Sequence, residues 1–155
     1  MKSRFLLSLL VLFVVGADRR KEDETKKDLK KIQGTWAFIR IEEEGTKKSQ
    51  RELKGLEDRL NWTFIDNQLV RNLGMEPVKG RFTLDATKQP KEIDLFEYAG
   101  KGKTVQGIYT FEGELLKISL GSPQGGARPT AFDTPPKSGR ANFILKRHVV
   151  VIKDS

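Results

Sequence analysis

From residue 34 onward the chain alternates apolar and polar side chains in short runs, separated by stretches rich in glycine, proline, asparagine and aspartate. Alternation with a period of two is the signature of a strand with one buried face. The runs predict eight strands, over 34–42, 60–65, 68–72, 78–84, 92–98, 105–112, 114–120 and 142–152. In the first, Trp36 and Phe38 fall on one face and Ala37, Ile39 and Ile41 on the other. Leu60, Trp62 and Phe64 share a face in the second, Phe82 and Leu84 in the fourth, and Leu116, Ile118 and Leu120 in the seventh. In the fifth, Ile93, Leu95 and Glu97 oppose Asp94, Phe96 and Tyr98. Most connections are short, as at the turn pair Asp66-Asn67. No helical pattern separates the strands, so the fold class is all-β with antiparallel pairing. Eight such strands close into an up-and-down barrel just wide enough for side chains or one small ligand.

Four segments break this rhythm. Residues 1–17 begin with Lys2 and Arg4, continue through an apolar run from Phe5 to Val15, and end at Val15-Gly16-Ala17. That order is the pattern of a secretory signal peptide. The run falls short of the roughly 17–25 residues that span a bilayer, and an uncleaved anchor is the alternative. Residues 18–28 are charged with mixed signs and read as a linker, disordered in its first half. A short helix over 24–33 puts Leu29 and Ile32 on one face, where they can plug one end of the barrel. Residues 46–55 are polar, with a helical turn near 49–53. The fourth is 121–140, with four glycines and four prolines, long enough to fold over an open mouth as a lid. The domain proper is 29–152.

Charge and cysteine content narrow the chemistry. The formal charge of +8 falls to +6 once Lys2 and Arg4 are removed with residues 1–17. A basic surface attracts polyanions. Export and the lack of any nucleic-acid-binding motif direct this toward anionic envelope polymers, lipid headgroups or an acidic protein, not nucleic acid. Without cysteine, thiol catalysis and zinc-thiolate sites are excluded, and the domain holds itself by its core.

The strand at 34 opens Gly34-Thr35-Trp36, and the last strong strand carries Leu145-Lys146-Arg147. An early Gly-x-Trp and a late Arg resemble the floor closure of lipocalin, avidin and fatty-acid-binding barrels. Further motifs follow in order: Asp85-x-Thr-x-x-Pro-Lys-x-Ile-Asp94, Gly107-Ile-Tyr109, Gly113-Glu-x-Leu-Lys-Ile118 and Arg128-Pro-Thr-x-Phe132. Together they resemble a small uncharacterised domain abundant in planctomycete bacteria, itself similar to lipocalin-like domains of exported proteins. The resemblance implies fold and export and carries no settled activity. One departure is Gly113-Glu114 where the pattern more often has Gly-Asp, which keeps the acid.

Several residues invite a functional reading. Arg128 and Tyr109 are the foremost candidates for ligand contact, as a bidentate anion receptor and a hydroxyl in an apolar cavity. Phe132 lies in the same long segment as Arg128. Asp94, if it faces inward with Phe96 and Tyr98, is a buried charge in need of a partner, and Arg128 is the candidate. Asp85, Lys88, Lys91 and Asp94 surround Pro90 and read more simply as turn chemistry than as a catalytic set. Trp36 and Arg147, with Gly34, are structural. His148 is the only histidine and has no partner visible in the sequence. There is no Gly-x-Ser-x-Gly elbow. No metal, cofactor or catalytic site is expected. The reading is an exported, monomeric binding domain, in periplasm, envelope or medium, with no membrane span after cleavage. Its ligand is small and apolar or amphipathic. The alternative is an envelope interaction module that uses the basic surface. An interior filled by Trp62, Phe64, Phe82, Leu84 and Phe111 would remove the deep-cavity form of the first reading.

Overall fold

The computed structural model describes residues 8–43, 46–48, 53–98, 100 and 102–149. Among the described residues one helix, α1 (Ser8–Ile32), leads into nine strands. They are β1 (Gly34–Glu43), β2 (Thr46–Lys48), β3 (Leu60–Ile65), β4 (Gln68–Leu73), β5 (Val78–Asp85), β6 (Lys91–Phe96), β7 (Thr104–Glu112), β8 (Leu115–Leu120) and β9 (Ala141–Arg147). Neighbours in sequence pair antiparallel from β3 to β9, and β1 pairs with both β3 and β9, closing an eight-stranded up-and-down barrel. The extra strand, β2, forms a short hairpin with the far end of β1, in a stretch read from sequence as a polar connection. The expected helical turn near 49–53 lies outside the described residues except for Leu53, which is buried in the core.

The floor is built where α1 ends. The last carbonyls of a helix have no partners within it. Here the barrel supplies them: Trp36 Nε1 donates to Ile32 O at 2.7 Å, Arg147 Nη2 to Lys31 O at 2.7 Å and Arg147 Nη1 to Gln33 O at 2.6 Å. The Arg147 guanidinium stacks 4.4 Å from the centre of the Trp36 ring, and Trp36 and Arg147 are direct cross-strand partners. Gly34 turns the chain from helix to strand with φ +104°, a backbone region that favours glycine. A Cβ there would lie 2.8 Å from Arg147 Nη1. Gly34 is therefore required both by backbone conformation and by the space Arg147 occupies.

The helix is longer than expected. The stretch read as a linker is helical, and its last turns belong to the domain. Thr25, Asp28, Leu29 and Ile32 fall on one face by helical spacing. Thr25 Oγ1 accepts from Ala86 N at 3.1 Å, Asp28 is 6% exposed, and Ile32 and Leu29 pack against the core as a plug. Half of that stripe is polar, which hid it from a reading based on apolar spacing.

Two local features overturn the expected faces. The β1–β9 register shifts between Phe38 and Arg40, a β-bulge at Ile39. An extra residue reverses which side chains point inward beyond it. Ile41 therefore packs on the core, as Trp36 and Phe38 do, instead of opposing them, and Arg40 is exposed. At the end of β6, Glu97 has φ +61°. Ile93 and Leu95 face the core, but the strand ends at Phe96 and Tyr98 turns back inward onto Trp62. Tyr98 consequently does not share a face with Asp94.

Trp62 is fully buried at the barrel axis. The rings of Phe38, Phe64, Tyr98 and Phe143 lie between 5.0 and 6.4 Å from it, reaching in from different sides of the wall. Phe64 meets Phe82 edge-on at 4.9 Å. With Leu84 buried, and Phe111 packed on the core nearer the floor against Trp36 and Tyr109, side chains fill the interior. Gly80 and Gly107, the glycines that open the two similar segments 80–85 and 107–112, both sit where a Cβ would collide with neighbouring backbone, Phe96 O at 2.5 Å and Ser119 O at 2.6 Å.

The floor geometry makes the Trp36–Arg147 coupling measurable. Arg147→Ala is expected to cost roughly 1–3 kcal/mol and Trp36→Ala roughly 3–5 kcal/mol in denaturant unfolding. The double mutant should lose less than the sum by about 0.5–2 kcal/mol, and strict additivity would show that the stacking carries no energy.

Candidate functional site

The mouth, opposite the helix, is where β1, β8 and β9 and the segment after β6 meet the long loop 121–140. A cleft of about 530 Å³ opens there, with Tyr98, Leu120 and Phe143 as its apolar lining and Glu43, Gln124 and Arg140 among its polar residues. Tyr98 also borders a neighbouring cleft of about 470 Å³, together with Arg71, Lys79 and Glu97. Alternation in β4 turns Leu69 and Arg71 into the barrel, and Arg71 pairs across the sheet with Trp62. Arg71 is 6% exposed, and its guanidinium lies 4.1 Å from the centre of the Tyr98 ring. It makes no ion pair among the described residues. Buried charges ordinarily carry a counter-charge. Burial pushes the Tyr98 hydroxyl up to about 12, although the adjacent Arg71 favours its ionised form.

The residues singled out from sequence do not converge on this mouth. Arg128 and Asp94 do meet, at 2.8 Å, but on the outside of the wall. Arg128 also donates to Gly107 O at 2.7 Å and Ile93 O at 3.3 Å, and Glu92 lies 3.5 Å away. Its donors thus pin the long loop to β6 and β7. Phe132, in the same loop, is partly exposed over a different part of the outer wall, against β1, β8 and β9. The loop is therefore not a simple lid: residues near its two ends border the mouth while its middle is spread over the barrel's exterior.

Tyr109 is buried at the floor. Its hydroxyl donates to Asp28 Oδ2 at 2.8 Å, and Lys91 Nζ reaches the same oxygen at 2.7 Å. Asp28 is thereby a buried carboxylate with two partners, and it ties α1 to β6 and β7. Burial, and the Asp28 carboxylate it faces, push the Tyr109 hydroxyl far above its ordinary range. Asp85 accepts from Thr87 Oγ1 at 2.6 Å and Thr87 N at 2.9 Å, the turn chemistry expected of it, and the Thr87 hydroxyl holds its carboxyl below the usual range. His148, which the sequence left without a partner, lies 2.9 Å from Asp58. The described residues contain no cluster of three or more histidine or acidic side chains able to hold a metal. No described helix is long and apolar enough to cross a membrane.

The chain matches no protein-family model, no curated protein and no solved structure. The architecture, a closed eight-stranded antiparallel barrel with one N-terminal helix, is consistent with a lipocalin-like fold. Sequence reasoning missed Arg71 and Asp28. For Arg71 the signal was present: it stands two residues after Leu69 in a strand, an inward position.

Tyr98 and Tyr109 are the only tyrosines. A folded-state pKa above the unfolded value of about 10 favours the protonated, folded form. Each tyrosine's contribution is fully present below that pH and is lost as pH rises through and beyond it. Tyrosinate absorbance should stay absent to about pH 10.5 and then rise together with loss of near-ultraviolet circular dichroism. Titration of either tyrosine at pH 10 in an intact fold would contradict the burial described here.

Proposed function

We propose that this domain is a non-catalytic binding module, exported, that takes a small amphipathic anion at the barrel mouth. The carrying observation is Arg71, a buried guanidinium with an aromatic ring beside it and no ion pair among the described residues. A carboxylate or similar anion supplies the missing counter-charge, and charge-assisted hydrogen bonds are stronger than neutral ones. The apolar part of the ligand lies across Tyr98 toward Leu120 and Phe143. The filled axis below Tyr98 directs this reading to the mouth and away from a deep central cavity. The sequence resemblance to exported lipocalin-like domains supports export, and the lipocalin-like barrel supports a binding role.

The test uses a dansyl-labelled medium-chain fatty acid and its uncharged methyl ester. The acid is expected to bind with enhanced fluorescence, and the ester roughly tenfold more weakly. Arg71→Met, which keeps the apolar stem, should reduce the acid to the level of the ester without lowering the melting temperature. Equal binding of acid and ester, or an acid affinity unchanged in Arg71→Met, would overturn the proposal.

A further inference from the structure

The bulge at Ile39 has a chemical consequence on the outside of the barrel. It places Arg40 opposite Ile144, and Glu42 opposite Asn142, across β1 and β9. On the other side of β9, Lys117 stands opposite Ile144 and Ser119 opposite Asn142. The wall therefore presents two rows of directly facing residues, Arg40–Ile144–Lys117 and Glu42–Asn142–Ser119. Cross-strand partners hold their Cβ atoms about 4.5–5.5 Å apart. A cavity of about 210 Å³ lies over these rows, lined by Arg40, Glu42, Lys117, Asn142, Ile144 and Phe132 of the long loop.

Two buried polar groups in the second row lack partners. Ser119 is 0% exposed and Asn142 5%, and neither Ser119 Oγ nor Asn142 Oδ1 makes a hydrogen bond among the described residues. Such orphaned groups cost free energy, and in native proteins they mark an unfilled chemical requirement. Asn142 Oδ1 accepts, so the missing group donates. The same wall carries both signs of charge: Arg40 lies 3.8 Å from Glu42, and Lys117 reaches Glu112 at 2.6 Å. A ligand with one charge would meet its like as well as its opposite here. A ligand with both charges fits the pattern.

The geometry points to a second binding site on the outer wall beneath Phe132, for a small zwitterion such as an α-amino acid with an apolar side chain. Its ammonium donates to Asn142 Oδ1 and faces Glu42. Its carboxylate faces Arg40 and Lys117. Its apolar side chain lies between Ile144 and Phe132. The cavity is smaller than the roughly 300–1,000 Å³ of sites for drug-sized ligands, which limits the occupant to amino-acid size. Phe132, partly exposed in the loop, is the side chain that yields to admit it.

Heteronuclear NMR titration with L-leucine tests this on the full barrel. Saturable shifts are expected at the Asn142 side-chain amide, Phe132 and Arg40. Isocaproate and isoamylamine, which each lack one of the two charges, should bind roughly tenfold more weakly or worse. Asn142→Leu removes the orphaned acceptor and should fold with unchanged or higher stability while losing leucine binding. Arg71→Met, at the mouth, should leave leucine binding intact. The inference is overturned if leucine produces no saturable shift, if either single-charge analogue binds equally, or if folded Asn142→Leu still binds. It is equally overturned if a crystal soaked in leucine shows only an ordered water between Ser119 and Asn142.

Discussion

The barrel depends on one guanidinium. Arg147 does three jobs at a single place: it stacks on Trp36, caps two carbonyls at the end of α1, and occupies the space that makes residue 34 a glycine. A cation at a helix C-terminus is favoured by the partial negative charge of the exposed carbonyls. Because Trp36 caps the carbonyl between those two, helix and barrel are hydrogen-bonded to each other through the first and last strands of the sheet. Closure of the sheet and docking of the helix are thus one event. Asp28 adds a second tie, its buried carboxylate held by Tyr109 and Lys91.

That dependence explains why so much of the fold was legible. The strands, their order and the closing pair follow from period-two patterning and from Gly34-Thr35-Trp36 with Arg147, all visible as residue types in sequence. The pairing of Asp94 with Arg128 was named from sequence for an inward-facing Asp94, and it forms instead on the outer wall. What sequence could not give is parity. A bulge at Ile39 and a positive φ at Glu97 each reverse the alternation, and neither residue advertises it, since neither is glycine. Those two reversals misplaced Ile41 and Tyr98. The site readings built on the expected faces moved with them.

Burial of polar groups was the other blind spot. A pattern reading assigns Arg71 and Asp28 to solvent by type, yet both are among the least exposed charged residues described. Their environments differ in a way that matters. Asp28 has a lysine and a phenol on one oxygen, so its charge is answered within the fold and its role is to hold the helix. Arg71 has an aromatic face and no ion pair among the described residues. The contrast separates a structural buried charge from a candidate functional one without reference to conservation.

The two ends of the barrel then differ in kind. At the floor, strand ends, helix and charged pairs are mutually satisfied, which leaves little chemistry for a ligand. At the mouth Arg71 has no ion pair among the described residues, and on the outer wall Ser119 Oγ and Asn142 Oδ1 have no hydrogen-bond partner there; all three stand beside segments without regular secondary structure. Connecting segments on a rigid scaffold are where binding commonly resides, because they adapt while the scaffold holds its geometry. A filled axis supports that division: Trp62 and the four rings around it fix the strands' spacing, so the positions of Arg71 and Tyr98 are set from below. In this fold the packed interior is not an obstacle to binding. It is what holds the proposed mouth site in place.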